Sequence, residues 1–263
     1  MFDHLWNVIQ IVEERFRAAG RVFLFLDFDG TLAPIETDFA APRLDAAVRD
    51  TLRLLSSRPS VVITIISGRA VEDLFARIRL QSVIYAGNHG LEVFGHGLRF
   101  VDPLAADLRA RLARLSDEIA ARLRPIAGEI VECKGLTATV HFRQAGESDH
   151  AEIRESIRVA VGRENGFRLI HGLKTIEILP RSDWNKGAAA NWVINQLGGE
   201  DALAIYLGDD AADEEAFLAL PGAIAIKVGV QPTRARFRLP GPAEVHEFLR
   251  RLAAATAPRA QTA

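Results

Sequence analysis

Cysteine occurs once in the 263 residues, as Cys133, so the chain can close no internal disulfide. Formal charge is nearly balanced at −2, which leaves no basic footprint for a nucleic acid. No stretch reaches the ~18 uninterrupted apolar residues of a membrane span. Asp3, Glu13 and Glu14 fall where a secretory leader would be apolar. These absences lead us to expect a cytoplasmic globular protein with no nucleic-acid or membrane partner, and the lack of a heptad run adds the expectation of a monomer. Lysine is the other scarcity, since the 32 basic residues include only Lys134, Lys174, Lys186 and Lys227. An ammonium suits point-charge phosphate binding and pKa tuning better than a guanidinium does, so each is weighed as a site residue against an ordinary surface role.

What is present begins with short apolar runs: VFLFLDF at 22–28, VVITII at 61–66, VIYA at 83–86, LAIYL at 203–207 and AIAIKV at 223–228. They show little polar alternation, the pattern of strands buried on both faces of a parallel sheet. Helical spacing separates several of them, as in Leu44, Val48, Leu52 and Leu55. The alternation predicts an α/β domain with a doubly wound, mostly parallel sheet of Rossmann type. Residues 2–19 predict a preceding amphipathic helix with Phe2, Leu5, Ile9, Val12 and Phe16 on one face, and the last eleven residues, AAATAPRAQTA, are expected to fray.

The middle of the chain breaks this rhythm. A helix over 103–124 carries Leu104, Leu108, Leu112, Leu115, Ile119 and Leu123, and the strands EIVECK and TATVHFR follow it. A second helix with Ile153, Ile157 and Val161 leads to the strands FRLIHG and KTIEIL. Helix, strand and strand recur with turns short enough for antiparallel hairpins. We therefore expect an inserted α+β domain over 101–180, within a core formed by 1–100 and 181–263.

In an open parallel sheet, ligands bind beyond the carboxyl ends of the strands. Polar and acidic residues collect there: Asp27, Asp29, Gly30 and Thr31 after the first run, Ser67-Gly68-Arg69 after the second, Gly87-Asn88-His89-Gly90 after the third, and Gly208-Asp209-Asp210 with Asp213-Glu214 after the fourth. Taken singly, Ser67, Asp183 or Asp210 reads equally as a helix N-cap, and Gly30-Thr31 as a turn. Agreement of four strand ends argues for more. Asp27 lies within an apolar run, where an uncompensated carboxylate costs several kcal/mol. A hard divalent cation such as Mg²⁺, held by Asp27, Asp29 and Asp209, relieves both burial and repulsion. Ser67 and backbone N–H groups of the glycine turns can donate to an anion, and Lys186, near the start of a helix expected to be capped by Ser182 or Asp183, attracts negative charge. That set suits phosphoryl transfer, with one aspartate attacking phosphorus and the other shuttling a proton.

DFDGTL at 27–32, SGR at 67–69, Lys186 and GDDAADE at 208–214 resemble, in order, the four motifs of the haloacid dehalogenase superfamily. The resemblance implies Asp27 as nucleophile forming an aspartyl-phosphate, Asp29 as general acid and base, and Ser67 and Lys186 on the phosphoryl oxygens. It implies Mg²⁺ on Asp27, the Asp29 carbonyl and Asp209, supported by Asp210 and Asp213. The insert lies between the second and third motifs, where a cap domain marks a group rich in sugar phosphatases. ISGR at 66–69, GNHGLE at 87–92, KGLTATVHFR at 134–143 and IEILP at 176–180 are similar to the trehalose-6-phosphate phosphatase family. In TATVHFR a period of two puts Thr137, Thr139, His141 and Arg143 on a polar face that suits a sugar, and Ala138, Val140 and Phe142 on an apolar one. By the resemblance, Lys134, His141, Arg143 and Glu177 bind sugar hydroxyls, and Arg69, Asn88 and His89 line the cleft. The expected substrate is a small sugar phosphate, trehalose 6-phosphate before glucosylglycerol, mannosylglycerate or sucrose phosphate. A non-catalytic phosphosugar-binding partner of a synthase and a phosphomutase are the readings from other classes. Cys133, Leu179 and Asn185 depart from the family's usual residues and loosen the choice of sugar.

Overall fold

The computed structural model describes residues 3–36, 42–172, 174–199 and 201–255; Phe2 and residues 256–263 of the C-terminal stretch lie outside them. In chain order the strands begin with β1 (Asp3–His4), β2 (Val22–Leu26), β3 (Val61–Ile66), β4 (Ile84–Gly87), β5 (Glu92–Gly95) and β6 (Leu98–Val101). They continue with β7 (Ile130–Cys133), β8 (Ala138–His141), β9 (Phe167–Gly172), β10 (Thr175–Pro180), β11 (Leu203–Gly208), β12 (Ile224–Val228) and β13 (Phe237–Leu239). The helices are α1 (Ile9–Ala18), α2 (Ala46–Ser56), α3 (Val71–Ile78), α4 (Pro103–Leu123), α5 (His150–Gly162), α6 (Lys186–Gln196), α7 (Ala211–Ala219) and α8 (Pro242–Ala255). Two compact units result, Met1–Phe100 with Trp184–Ala263, and Val101–Asp183.

The first unit holds a sheet in the order β1-β13-β12-β11-β2-β3-β4-β5-β6, parallel from β1 through β4. The β4–β5 pair is antiparallel. Every residue of β2 and β3 is buried because helices cover both faces. Leu24, Leu26, Ile63 and Ile65 pack with Val12 of α1, Leu52 of α2, Leu74 of α3 and Phe248 of α8. Their neighbours Phe23, Phe25, Val62 and Ile66 pack the opposite way, with Ala189 and Val193 of α6 and Ala216 of α7. The two-residue alternation thus feeds two cores, and both must be apolar.

The expected helix over 2–19 begins only at Ile9. Asp3 and His4 pair in parallel with Phe237 and Arg238 instead, and Leu5 is fully buried beyond them. Edge pairing with a strand more than 200 residues away overrides local helical spacing there.

The second unit packs α4 and α5 on an antiparallel sheet ordered β7-β8-β10-β9. Asp102 caps α4, its carboxylate accepting from Ala105 N at 2.7 Å, and Pro103 follows where its missing N–H costs nothing. Leu108, Leu112, Leu115, Ile119 and Leu123 face the core with Val140, Phe142, Ile153, Ile157 and Ile176. Leu104 departs from that stripe and is exposed. Among the described residues no helix is long and apolar enough to cross a membrane.

Candidate active site

Adjacent parallel pairing of β11, β2, β3 and β4 brings the loops after their carboxyl ends to one edge of the sheet. Asp27 follows β2 directly, and its N–H donates to Leu207 O at 3.0 Å, which extends the ladder and sets Asp27 beside the loop that carries Asp209. Gly30, at φ +80°, permits this approach, because a Cβ there would collide with the Asp209 carboxylate. A Cβ on Gly208 would likewise meet the carboxylate of Asp213.

Lys186 opens α6 and is fully buried. Its Nζ lies 2.8 Å from Asp27 Oδ1, 2.8 Å from Asp213 Oδ1 and 3.4 Å from each oxygen of Asp210. The residue that caps this helix is Asn185, whose Oδ1 accepts from Ala188 N at 2.9 Å, and not Ser182 or Asp183. Ser182 donates to Asp102 Oδ2 at 3.0 Å. Asp210 and Asp213 form a reciprocal capping box at the start of α7, so each has a helix-terminal role as well as its place around the ammonium. The Tyr206 hydroxyl donates to Asp213 Oδ1 at 2.9 Å.

Proton affinities follow from this crowding. Burial, with the charges of Asp209 and Asp210, raises Asp27 well above the ordinary carboxylate range, although Lys186 pulls the other way. Burial and the charges of Asp210 and Asp213 push Asp209 up to about 7. Burial would raise Asp210 too, but the Lys186 ammonium and the bonds from Asp213 hold it at about 2. Lys186 itself is raised well above its ordinary value: desolvation opposes the charge, and Asp210, Asp213 and Asp27 outweigh it. Carboxylates this close, with one shared ammonium, favour a further cation.

One carboxylate oxygen each of Asp27, Asp209 and Asp213 lie within 4.8 Å of one another. An all-oxygen donor set of this kind fits a hard divalent ion such as Mg²⁺. Asp213 is the most committed of the three, with one oxygen taken by Lys186 and Tyr206 and the other accepting from Asp210 N at 3.0 Å. Asp27 and Asp209 are therefore the better direct ligands. Thr31 Oγ1 stands 3.5 Å from Asp209 Oδ1 and steadies it.

Ser67 is buried after β3, and its Oγ accepts from Arg69 N at 3.2 Å. Arg69 grips Asp29 with two bonds, Nε to Oδ2 at 2.6 Å and Nη2 to Oδ1 at 2.8 Å, and reaches Asp73 at 2.9 Å. That fork fixes the carboxylate plane of Asp29. Asn88 and His89 both have positive φ, in a short 3₁₀ turn after β4, where the Asn88 amide donates to Glu92 Oε1 at 2.7 Å. Both residues are buried.

Within the second unit, register sets Glu132, Thr139 and Glu177 side by side on one face of three strands. Lys134 Nζ is 3.7 Å from Glu177 Oε1, and His141 Nε2 is 3.1 Å from Glu132 Oε2. Arg143 is half-buried in the turn after β8. Thr137 and Thr139, expected on the polar face, are buried outright, and Thr139 lies between its cross-strand neighbours Glu132 and Glu177. Of the three departures from family pattern, Cys133 is exposed, Leu179 is buried and Asn185 still serves as a cap.

Three residues of these clusters were given no role in the sequence reading: Tyr206, Glu92 and Glu132. Tyr206 carried a signal, since a tyrosine in a fully buried strand needs a partner for its hydroxyl. Glu132 was legible from its alternation with Val131 and Cys133, but nothing local named His141 as its partner.

Residues 25–240 match the family model described as trehalose-phosphatase. A trehalose-phosphate phosphatase of Mycobacterium marinum is 37% identical over 243 residues, which cover 89% of this chain and 62% of that protein. This chain therefore spans less than two thirds of that relative's length. A solved structure described as a trehalose-6-phosphate phosphatase related protein is 26% identical, with TM-score 0.79, covering 88% of this chain and 97% of that one. The C-terminal domain of a C. albicans trehalose-6-phosphate phosphatase shares the fold at TM-score 0.82 and 24% identity, covering 97% of this chain and 98% of that one. Because the matched span runs from β2 through β13 and takes in Asp27, Lys186 and Asp209, this chain belongs to the trehalose-phosphatase family.

Proposed function

We propose that this chain is a Mg²⁺-dependent phosphatase that converts trehalose 6-phosphate and water to trehalose and phosphate through an aspartyl-phosphate. The observation that carries the reading is the buried Asp27 carboxylate, 2.8 Å from a fully buried ammonium and next to Asp209 at the carboxyl edge of the sheet. An oxygen of Asp27 attacks phosphorus while the bond to the sugar O6 breaks, and Asp29 gives that oxygen its proton. Asp29 then takes a proton from the water that displaces phosphate and regenerates Asp27. Lys186 neutralises phosphoryl charge, and the Ser67 hydroxyl, whose oxygen already accepts from Arg69 N, donates its hydrogen to a phosphoryl oxygen. Asp27 and Asp209 hold Mg²⁺, which when bound supplies charge neutralisation and alignment of the phosphoryl group.

The unit over Val101–Asp183 is, in this reading, the cap that reads the sugar, with Lys134, His141, Arg143 and Glu177 on hydroxyl groups. The test is phosphate release from trehalose 6-phosphate beside glucosylglycerol, mannosylglycerate and sucrose phosphates, with Asp27→Asn as blank. A kcat/KM at least ~10²-fold above the others is expected, about 2.7 kcal/mol of discrimination. Highest activity on another sugar phosphate would keep the chemistry and move the substrate. No release from any would leave a binding protein.

A further inference from the structure

Lys227 has no part in the chemistry above, yet it is one of only four lysines and is 2% exposed. It is the next-to-last residue of β12, between Ile226 and Val228, which face the core that holds Leu24 and Leu26. Its own side chain therefore leaves by the other face. Parallel register sets Lys227 opposite Gly208, the residue just before Asp209. The ammonium donates to the backbone oxygen of Asp209 at 2.6 Å and to that of Asp210 at 3.4 Å, and lies 3.4 Å from Glu214 Oε1 in α7. Glu214 in turn accepts from Arg234 N at 2.8 Å through its other oxygen, beyond β12.

We propose that Lys227 is a positioning residue for the divalent cation: by holding the carbonyls of Asp209 and Asp210 it fixes the turn from which the Asp209 carboxylate reaches the metal. A buried charge with one carboxylate partner is costly, and a neutral side chain would fill the space more cheaply. Two carbonyl acceptors on one short turn, with the Glu214 carboxylate in the helix that follows, explain its presence better than packing does. A turn held at its main chain presents Asp209 without the entropy loss of ordering it when the ion arrives. The inference rests on reading Asp27 and Asp209 as Mg²⁺ ligands.

The test has a built-in sign. If the ammonium acts only through its charge, removing it from the turn that carries Asp209 and Asp210 makes the site more negative, and Mg²⁺ binds more tightly. If it positions the turn, Mg²⁺ binds more weakly. Calorimetric titration of the whole protein with Mg²⁺ should show Kd at least ~10-fold higher in Lys227→Met than in the wild type, equivalent to about 1.4 kcal/mol. Unchanged or tighter binding overturns the proposal. Should Lys227→Met not fold, the same titration of Lys227→Arg, which keeps the charge and changes the donor geometry, is expected to raise Kd at least ~3-fold, about 0.65 kcal/mol, and no change overturns the proposal. A wild type that takes up no Mg²⁺ brings down the ligand reading itself, a failure distinct from equal Kd in wild type and variant.

Discussion

The two polar regions of this chain hold their charges in different ways. At the carboxyl edge of the large sheet, Asp27, Asp210 and Asp213 surround one fully buried ammonium, and each carboxylate of that cluster is within reach of another. On the small sheet, Lys134 and Glu177 stand 3.7 Å apart and His141 lies 3.1 Å from Glu132, with these side chains between 7% and 30% exposed. A buried cluster with several short bonds has one low-energy arrangement, and removing a member leaves the rest uncompensated. Pairs that keep some access to water are less tied to one arrangement than a cluster closed off from it. On the proposed function, the chemistry falls to the closed cluster and the sugar contacts to the partly exposed pairs.

Substitution breaks this contrast most sharply at the buried cluster. Asp27→Asn is expected to lower kcat by at least ~10³-fold and to abolish trapping of a phosphorylated enzyme, because an amide is no nucleophile toward phosphorus. Substantial residual turnover would remove Asp27 from that role. Lys186→Ala should cost at least ~10²-fold in kcat, the scale of losing one transition-state donor. It should also destabilise the fold by about 3–5 kcal/mol, since Asp27 and Asp213 lose their buried counter-charge. Denaturant melts and steady-state kinetics on the same preparation separate the two effects, and a variant as stable as wild type would contradict the interlocked cluster.

Legibility in the sequence differed along the same division. The parallel strands read directly, because burial on both faces forces VFLFL and VVITII to be apolar throughout. DFDGTL and GDDAADE read as a site because acids at the ends of buried strands have few structural excuses. Contacts set by distant partners did not read. Strand β1 exists through its pairing with Phe237 and Arg238, and Arg69 turns to Asp29 and Asp73 by a geometry that SGR alone does not encode. Ser182, Asp183 and Asn185 are all good N-caps, so local chemistry could not choose Asn185. In TATVHFR the period of two places Thr139 on the right face, but depth of burial depends on the strands beside it.

Proton linkage sharpens the contrast at an intermediate scale. In the metal-free protein, Asp209 is pushed from 3.8 to about 7 by burial and by Asp210 and Asp213. A raised carboxyl pKa stabilises the folded state fully below its unfolded value, and that contribution is lost as pH rises through the folded one. The metal-free protein should therefore lose stability between about pH 4 and 7 at this group. A bound cation requires the carboxylate, so its uptake below pH 7 expels at least one proton and its affinity should climb at least about tenfold per pH unit there. Thermal melts at several Mg²⁺ concentrations from pH 5.5 to 8 measure this, and an affinity flat below 7 would contradict the assignment.

The mildest effect is expected on the small sheet, and it is the one that tests the division of labour. Arg143 is half-buried in the turn after β8, outside the charge cluster around Lys186. Arg143→Ala should raise KM for trehalose 6-phosphate about tenfold, the cost of one or two hydrogen bonds to a charged donor, and leave kcat within about threefold. A small aryl phosphate offers no second sugar, so its kcat/KM should change much less. Remote binding energy that served the transition state would instead appear as a fall in kcat on the disaccharide alone, tying the small sheet to the chemical step. Equal losses on both substrates would place Arg143 on the phosphate, and the two regions would then share one task.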